Sequence, residues 1–132
     1  MSEYRTHTCD ELRIEDVGKE VYLHVLNHAK KYVHIMTPYL ILDNEMITTL
    51  TRVAKTGIEV IIIMPHIPDK WYVHALTQSF YRPLLEAGVR IFEYTPGFIH
   101  AKMALCDGCS AIVGSTNLDY RSFYLQFECA VI

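Results

Sequence analysis

Residues 58–65, IEVIIIMP, constrain the fold of this 132-residue chain more than any other segment. Apolar and mostly β-branched residues follow one another here almost without interruption. Such a run is typical of a strand that is covered on both faces. It is far shorter than the roughly 20 residues that a membrane-spanning helix needs. We therefore expect an inner strand of a layered sheet.

The segments around this run alternate between strand and helix patterns. Residues 32–37 and 89–95 also read as strands, and residues 43–57 read as a helix that Asp43 caps and Gly57 ends. Residues 69–88 form a second helical pattern, in which Pro83 predicts a kink or break near Arg82. A further helix begins at Asp16. This order predicts parallel strands with helical crossovers.

After Gly97 the pattern changes to FIHAKMALC, Asp-Gly and CSAIVGST, which predicts two antiparallel strands joined by an Asp-Gly turn. A last strand, FECAVI, ends the sequence. The predicted fold class is α/β, with a mixed sheet and helices on both faces. We expect a flexible segment over residues 1–15 and one domain over residues 16–132, truncated at its carboxyl end.

Composition narrows the possible functions. Half of the residues are hydrophobic, the net charge is −3, and there is no basic run, so binding to nucleic acid is not expected. The polar start is not a signal peptide, and four cysteines do not require disulfides in a chain of this size. We expect this piece by itself to be soluble and to reside in a reducing compartment.

The hairpin brings together residue types that suit a phosphoryl group. His100 and Lys102 are two residues apart and share a strand face. If Asp107 and Gly108 form the turn, Cys106 opposes Cys109, Lys102 opposes Val113 and His100 opposes Ser115. Asn117 lies two residues beyond Ser115. A nucleophile, an ammonium and neutral donors would then converge at one end of the hairpin.

A histidine nucleophile needs one unprotonated ring nitrogen, and a carboxylate on the other nitrogen fixes that tautomer. Glu128 lies in an otherwise apolar strand pattern, where a carboxylate is costly unless it is paired. His100 is its natural partner. Tyr39 follows the first strand of the predicted parallel layer, where it is a possible substrate contact with core packing as the alternative.

The spacing His100-x-Lys102-x4-Asp107-x6-Gly114-Ser115-x-Asn117 resembles the HxKx4Dx6GSxN signature of the phospholipase D superfamily. The flanking segments TPYLILDNEM, YTPGFIHAKM and STNLDYRSFYLQFECAVI are similar to the carboxyl-terminal half of bacterial cardiolipin synthases. This resemblance extends from about Val17 to Ile132.

The resemblance implies a chemistry. His100 would be one of two active-site histidines, one forming a phosphohistidine and the other protonating the leaving alcohol. Donor and acceptor would both be phosphatidylglycerol, glycerol would leave, and Glu128 would orient the histidine. Lys102 and Asn117 would supply the electrostatic stabilisation, with no metal or cofactor. The parent protein would act at the bacterial inner membrane, with its catalytic domain on the cytoplasmic side.

The sequence departs from the family in holding one copy of the HxKx4Dx6GSxN motif where full-length members hold two. The other catalytic half would therefore be the partner of this one, and we expect the isolated half to be inactive. Other superfamily activities, lipid hydrolysis or nuclease work, remain open, as does a non-catalytic half that binds phosphate.

Three further assignments have alternatives. Asp107 is a motif residue, but it is also the first residue of an Asp-Gly turn. Arg121 is a possible headgroup contact or a partner in an ion pair. Cys106 and Cys109 form a C-x-x-C that would suit zinc or redox chemistry, but they flank a turn instead of starting a helix, and zinc needs two more ligands.

Overall fold

The structure is a computed structural model that describes residues 6–8, 17–67, 70–114, 118–119 and 129–131. The strands of this part are β1 (Thr6–Thr8), β2 (Tyr32–Met36), β3 (Leu40–Ile41), β4 (Glu59–Pro65), β5 (Arg90–Tyr94), β6 (Met103–Cys106), β7 (Ser110–Gly114), β8 (Leu118–Asp119) and β9 (Cys129–Val131). The helices are α1 (Val17–His28), α2 (Asn44–Lys55), α3 (Trp71–Ser79) and α4 (Tyr81–Glu86).

Seven strands form one mixed sheet in the order β1-β9-β7-β6-β2-β4-β5. Strands β2, β4 and β5 are parallel, and the other neighbours are antiparallel. The prediction of an α/β fold with a mixed sheet is confirmed. Strand β1, which pairs with β9, lies within the 1–15 segment that was expected to be flexible.

The core lies on one face of this sheet. Alternate residues of the central strands are buried there, and they form one cluster with apolar residues of α1, α2 and α4. On the second face, Ile61 and Ile63 of β4 are only partly buried. In the part of the chain that the structure describes, α1, α2 and α4 contribute to the cluster on the first face.

The long helical pattern of residues 69–88 is divided into α3 and α4 at Phe80. The break falls two residues before Arg82, where the sequence predicted it. Pro83 explains the position, because its ring would collide with the carbonyl of Ser79, four residues earlier, and it has no N–H to donate. The amino-terminal cap of α2 agrees with the prediction, because the Asp43 carboxylate accepts from the Met46 N–H at 2.9 Å.

The hairpin has the predicted turn but a different register. Asp107 and Gly108 both have positive φ, and the Cys109 N–H donates to the Cys106 carbonyl at 3.1 Å, as in a two-residue turn. Strand pairing then matches Cys106 with Ser110, because Cys109 is an extra residue between the turn and β7. The predicted pairs Cys106–Cys109 and Lys102–Val113 are therefore wrong by one residue.

Candidate functional site at the carboxyl edge of the sheet

His100 and Lys102, here called the H-x-K pair, lie at the carboxyl edge of the parallel strands. Met103 of β6 pairs with Met36, the last residue of β2. Since β6 runs antiparallel to β2, residues just before Met103 lie beyond the end of β2. This edge is where sheets of this class bind ligands. The sequence predicted a strand from residue 98, but β6 begins at Met103, so His100 and Lys102 precede it.

His100 and Lys102 contact each other directly. The Lys102 Nζ lies 2.6 Å from His100 Nδ1 and donates to the His100 carbonyl at 2.8 Å. An ammonium can only donate, so Nδ1 is the acceptor in this contact. His100 is exposed and Lys102 is partly exposed. The pair therefore places an ammonium and an imidazole side by side at the surface.

Two aromatic rings contact the imidazole. Phe98 stacks on His100 with ring centroids 5.8 Å apart, and Tyr39 approaches edge-on at 6.2 Å. The structure thus brings the predicted residue Tyr39 to His100. Sequence reasoning missed Phe98, for which the H-x-K spacing carries no signal. The rings shield two sides of the imidazole, which limits the directions from which a ligand can approach.

The segment that carries Tyr39 is held by polar contacts on both sides. The Thr37 hydroxyl donates to the Tyr39 carbonyl at 3.0 Å, and the Thr37 N–H donates to the Ile63 carbonyl at 3.2 Å. Leu40 donates its N–H to the buried Thr77 hydroxyl of α3 at 3.4 Å. These contacts fix Tyr39 relative to the end of β2 and connect α3 to the site.

A buried lysine secures the far end of this segment. The Lys19 Nζ lies 2.6 Å from Asp43 Oδ2 and 2.5 Å from Glu45 Oε2. Asp43 caps α2 at the same time. The charge of Lys19 therefore joins α1 to the start of α2, a few residues after Tyr39.

Asp107 has a structural position. Its carboxylate accepts from the backbone N–H groups of Lys30, Lys31 and Tyr32 at 2.8–2.9 Å. These bonds lower the pKa of the Asp107 carboxyl, the one from Tyr32 most. The turn lies at the opposite end of β6 from the H-x-K pair. Asp107 was predicted either as a catalytic residue of the motif or as the first residue of the turn, and these contacts support the second role.

The two hairpin cysteines lie in different environments. Cys106 is buried on the core face, and burial raises the pKa of its thiol. Cys109 is exposed. A reactive thiol requires a lowered pKa, so the environment of Cys106 opposes redox chemistry. Among the described residues, no cluster of three or more His, Cys, Asp or Glu side chains could hold a metal ion.

The remaining predicted site residues, Ser115, Asn117, Arg121 and Glu128, lie outside the described residues. The structure does describe two residues adjacent to them in the chain, Gly114 and Leu118. The N–H of Gly114 donates to the Lys102 carbonyl at 3.2 Å, and Leu118 pairs with Leu40, next to Tyr39.

A histidine–carboxylate pair, His66 and Glu93, lies at the same edge of the sheet. His66, just after β4, bonds Glu93 of β5 through Nδ1 and Oε2 at 2.8 Å. Tyr81 donates to the other oxygen of Glu93 at 3.4 Å. Burial and the Glu93 charge raise the pKa of Tyr81 to about 12. No spacing in the sequence predicts this cluster, because its members come from three separate segments of the chain.

Solved structures show the class of fold. A phospholipase D family member, Nuc from Salmonella typhimurium, superposes with a TM-score of 0.78 over 98% of this chain and 82% of Nuc, at 18% identity. Phosphatidylserine synthase from Haemophilus influenzae gives 0.76 over 97% of this chain and 34% of that one, at 16% identity. The fold is that of the phospholipase D superfamily.

Sequence comparison defines the family more narrowly. Residues 22–132 match the model of the cardiolipin synthase, phospholipase D-like domain. Cardiolipin synthase from Halalkalibacterium halodurans is 40% identical over 113 residues, which are 86% of this chain and 22% of that protein. An uncharacterized protein of Streptococcus mutans is 55% identical over 116 residues, 88% of this chain and 25% of that protein. The chain belongs to the cardiolipin synthase phospholipase D-like domain family.

The chain spans about a quarter or less of the length of these relatives. In the part of the chain that the structure describes, every helix is too short or too polar to cross a membrane.

Proposed function

We propose that this chain is one catalytic half of a phosphatidyltransferase that makes cardiolipin from two phosphatidylglycerol molecules. The contact between His100 and Lys102 at the carboxyl edge carries the proposal. It joins a ring that can attack or protonate to a fixed positive charge for the non-bridging oxygens of a phosphodiester. Membership of the cardiolipin synthase domain family supports the choice of substrate.

The proposed reaction has two displacements at phosphorus. In the first, a histidine nitrogen bonds to phosphorus, the bond to the glycerol headgroup breaks, and the second histidine protonates the departing glycerol oxygen. In the second, a hydroxyl of another phosphatidylglycerol attacks phosphorus, gives its proton to the histidine that acted as acid, and the phosphohistidine bond breaks. Cardiolipin and glycerol are the products, and neither metal nor redox partner is consumed.

His100 supplies one of these histidines, and the other catalytic half supplies the second. Lys102 neutralises charge on the phosphoryl oxygens, and we assign neutral donor roles to Ser115 and Asn117 and an orienting role to Glu128. Arg121 and Tyr39 are proposed substrate contacts. Of these, Tyr39 has the support of its position against His100.

A second candidate function is a non-catalytic half that binds a phosphodiester. The single copy of the HxKx4Dx6GSxN motif favours it. Lipid hydrolysis or nuclease activity is the remaining alternative within the superfamily, and it uses the same histidine with water as acceptor.

Turnover separates these functions. The chain is incubated with phosphatidylglycerol vesicles, alone and with the part of the Halalkalibacterium halodurans cardiolipin synthase that it does not match, and cardiolipin and glycerol are quantified. We expect product only with the complementing half, and at least a hundredfold less with His100→Ala, since general acid–base groups contribute on that order. His24→Ala, an exposed histidine on α1, is the matched control and should leave turnover unchanged.

Phosphatidic acid as product would indicate a hydrolase, and cleavage of an oligonucleotide would indicate a nuclease. Equal cardiolipin production by the chain and its His100→Ala variant, each measured with the complementing half, would contradict the proposal.

A further inference from the structure

The helix α3 presents an unusual surface beside the site. Trp71, Tyr72 and Leu76 are exposed there, and Trp71 is 78% exposed. The helix, WYVHALTQS, contains no Asp, Glu, Lys or Arg. A surface helix of a globular protein normally places charged residues on its outer face. The exposed residues of α3 are instead uncharged: Trp71, Tyr72, Ala75 and Leu76, followed by Gln78 and Ser79 at its carboxyl end.

Individual contacts connect this surface with the candidate site. Thr77 marks the inner face of α3, because it is buried and bonds the N–H of Leu40, next to Tyr39. Ile67, which is exposed, follows the carboxyl end of β4, at the edge where His100 lies beyond the end of β2. Phe98, also exposed, stacks on His100 itself.

We propose that the outer face of α3, together with Ile67 and Phe98, is the surface by which this chain seats on a phospholipid bilayer. We call it the α3 docking surface. Adjacent Trp and Tyr residues suit the boundary between headgroups and acyl chains, because their rings are apolar at one end and polar at the other.

The choice of a phospholipid bilayer as the partner of this surface follows from the candidate site at His100 and Lys102, and this step rests on the proposed function. A phospholipid whose phosphate lies at His100 and Lys102 must direct its acyl chains away from them. Phe98 adjoins that position, and α3 is joined to the same segment through the Thr77–Leu40 contact, so the acyl chains can remain in the bilayer while the phosphate is bound. The second face of the sheet is a poorer candidate, since it carries the Glu59–Arg90 ion pair.

The single tryptophan of the chain, Trp71, reports on this surface directly. The chain is mixed with vesicles of phosphatidylglycerol and phosphatidylcholine, and its fluorescence is followed. We expect a blue shift and quenching by lipids brominated on the acyl chains. Unchanged emission together with no co-flotation of protein and vesicles would overturn the proposal.

A matched pair of variants tests the location. Leu76→Ser removes an apolar side chain from the docking surface, and Leu85→Ser removes one of similar exposure, 50% against 47%, from α4. Leu76→Ser should weaken vesicle partition roughly three- to tenfold, the loss expected for about half the burial of a leucine, and Leu85→Ser should not. Equal losses would show that the bilayer does not contact α3.

Two controls distinguish this proposal from dimerisation through the same surface and from the proposed function. A concentration-dependent dimer that Leu76→Ser disrupts, with no vesicle binding, would assign the surface to a second copy of the chain and overturn the proposal. Binding of glycerophosphoglycerol, a soluble diester, is measured separately on the unmodified chain and on His100→Ala. Docking without any His100-dependent binding of glycerophosphoglycerol would refute the proposed function alone, and the reverse result would refute the docking surface alone.

Discussion

The ion pairs around Lys19 give the most quantitative test of how the site is held. The side chain of Lys19 is 7% exposed and that of Asp43 is 22% exposed. Asp43 both pairs with this lysine and caps α2. Substituting Asp43 therefore removes two separable contributions to stability. The substitutions Asp43→Asn and Asp43→Ala distinguish them, because asparagine also caps helices well and alanine does not.

The expected magnitudes follow from these contacts. Losing the cap costs about 1 kcal/mol. Losing the ion pair costs about 1–2 kcal/mol, more than for an exposed pair because Lys19 is buried, and less than for a fully buried one because the more exposed Glu45 still contacts the lysine. We expect Asp43→Asn to lose about 1–2 kcal/mol and Asp43→Ala about 2–3 kcal/mol of unfolding free energy.

Urea and thermal denaturation followed by circular dichroism measure both losses. For a chain of this size, Asp43→Ala should lower Tm by roughly 6–12 °C. Glu86→Ala is the control, since it breaks the exposed Arg82–Glu86 pair and should cost under about 0.5 kcal/mol. The reasoning is refuted if Asp43→Asn is as stable as the unmodified chain, or if Asp43→Ala costs no more than Glu86→Ala.

Three further predictions concern titration and reactivity. Tyr81 should ionise near pH 12 in a near-ultraviolet absorbance titration, and Glu93→Gln should lower the pKa of Tyr81. Because this folded-state pKa lies above the ordinary 10.0, the protonated Tyr81 contributes stability below pH 10. That contribution is lost as the pH rises to about 12. Asp107→Asn should lower Tm at neutral pH. The difference in Tm from the unmodified chain should shrink as the pH falls below the ordinary pKa of 3.8 and through the lower folded-state pKa. A difference in Tm that does not depend on pH would contradict the role of the carboxylate. In native protein, iodoacetamide should label Cys109 at least tenfold faster than Cys106 by peptide mass mapping, and equal rates would show that Cys106 is not buried as described.

Sequence periodicity predicted the parallel layer well, because β-branched runs and helix caps are local signals. The break between α3 and α4 was predicted within two residues, since the effect of Pro83 on the preceding turn is also local. The short strands β1, β3 and β8 were missed. Their pairing depends on distant segments, and two or three residues carry no periodicity.

The candidate site shows the same division. The spacing of His100 and Lys102 identified the pair, but the register of the hairpin could not be predicted, because the extra residue Cys109 follows a turn that looks complete without it. The role of Asp107 depends on N–H groups about 75 residues earlier in the chain. Local sequence holds no sign of that contact, and the motif alone suggested chemistry.

The central claim is that His100 and Lys102 bind a phosphodiester. Nuclear magnetic resonance of the imidazole nitrogens, with glycerophosphoglycerol as a soluble diester, tests it without a complementing half. We predict saturable shifts of the His100 resonances, lost in Lys102→Ala and retained in Lys30→Ala, an exposed lysine beside the Asp107 turn. No shift of His100 at saturating diester, or shifts that survive Lys102→Ala unchanged, would contradict the claim.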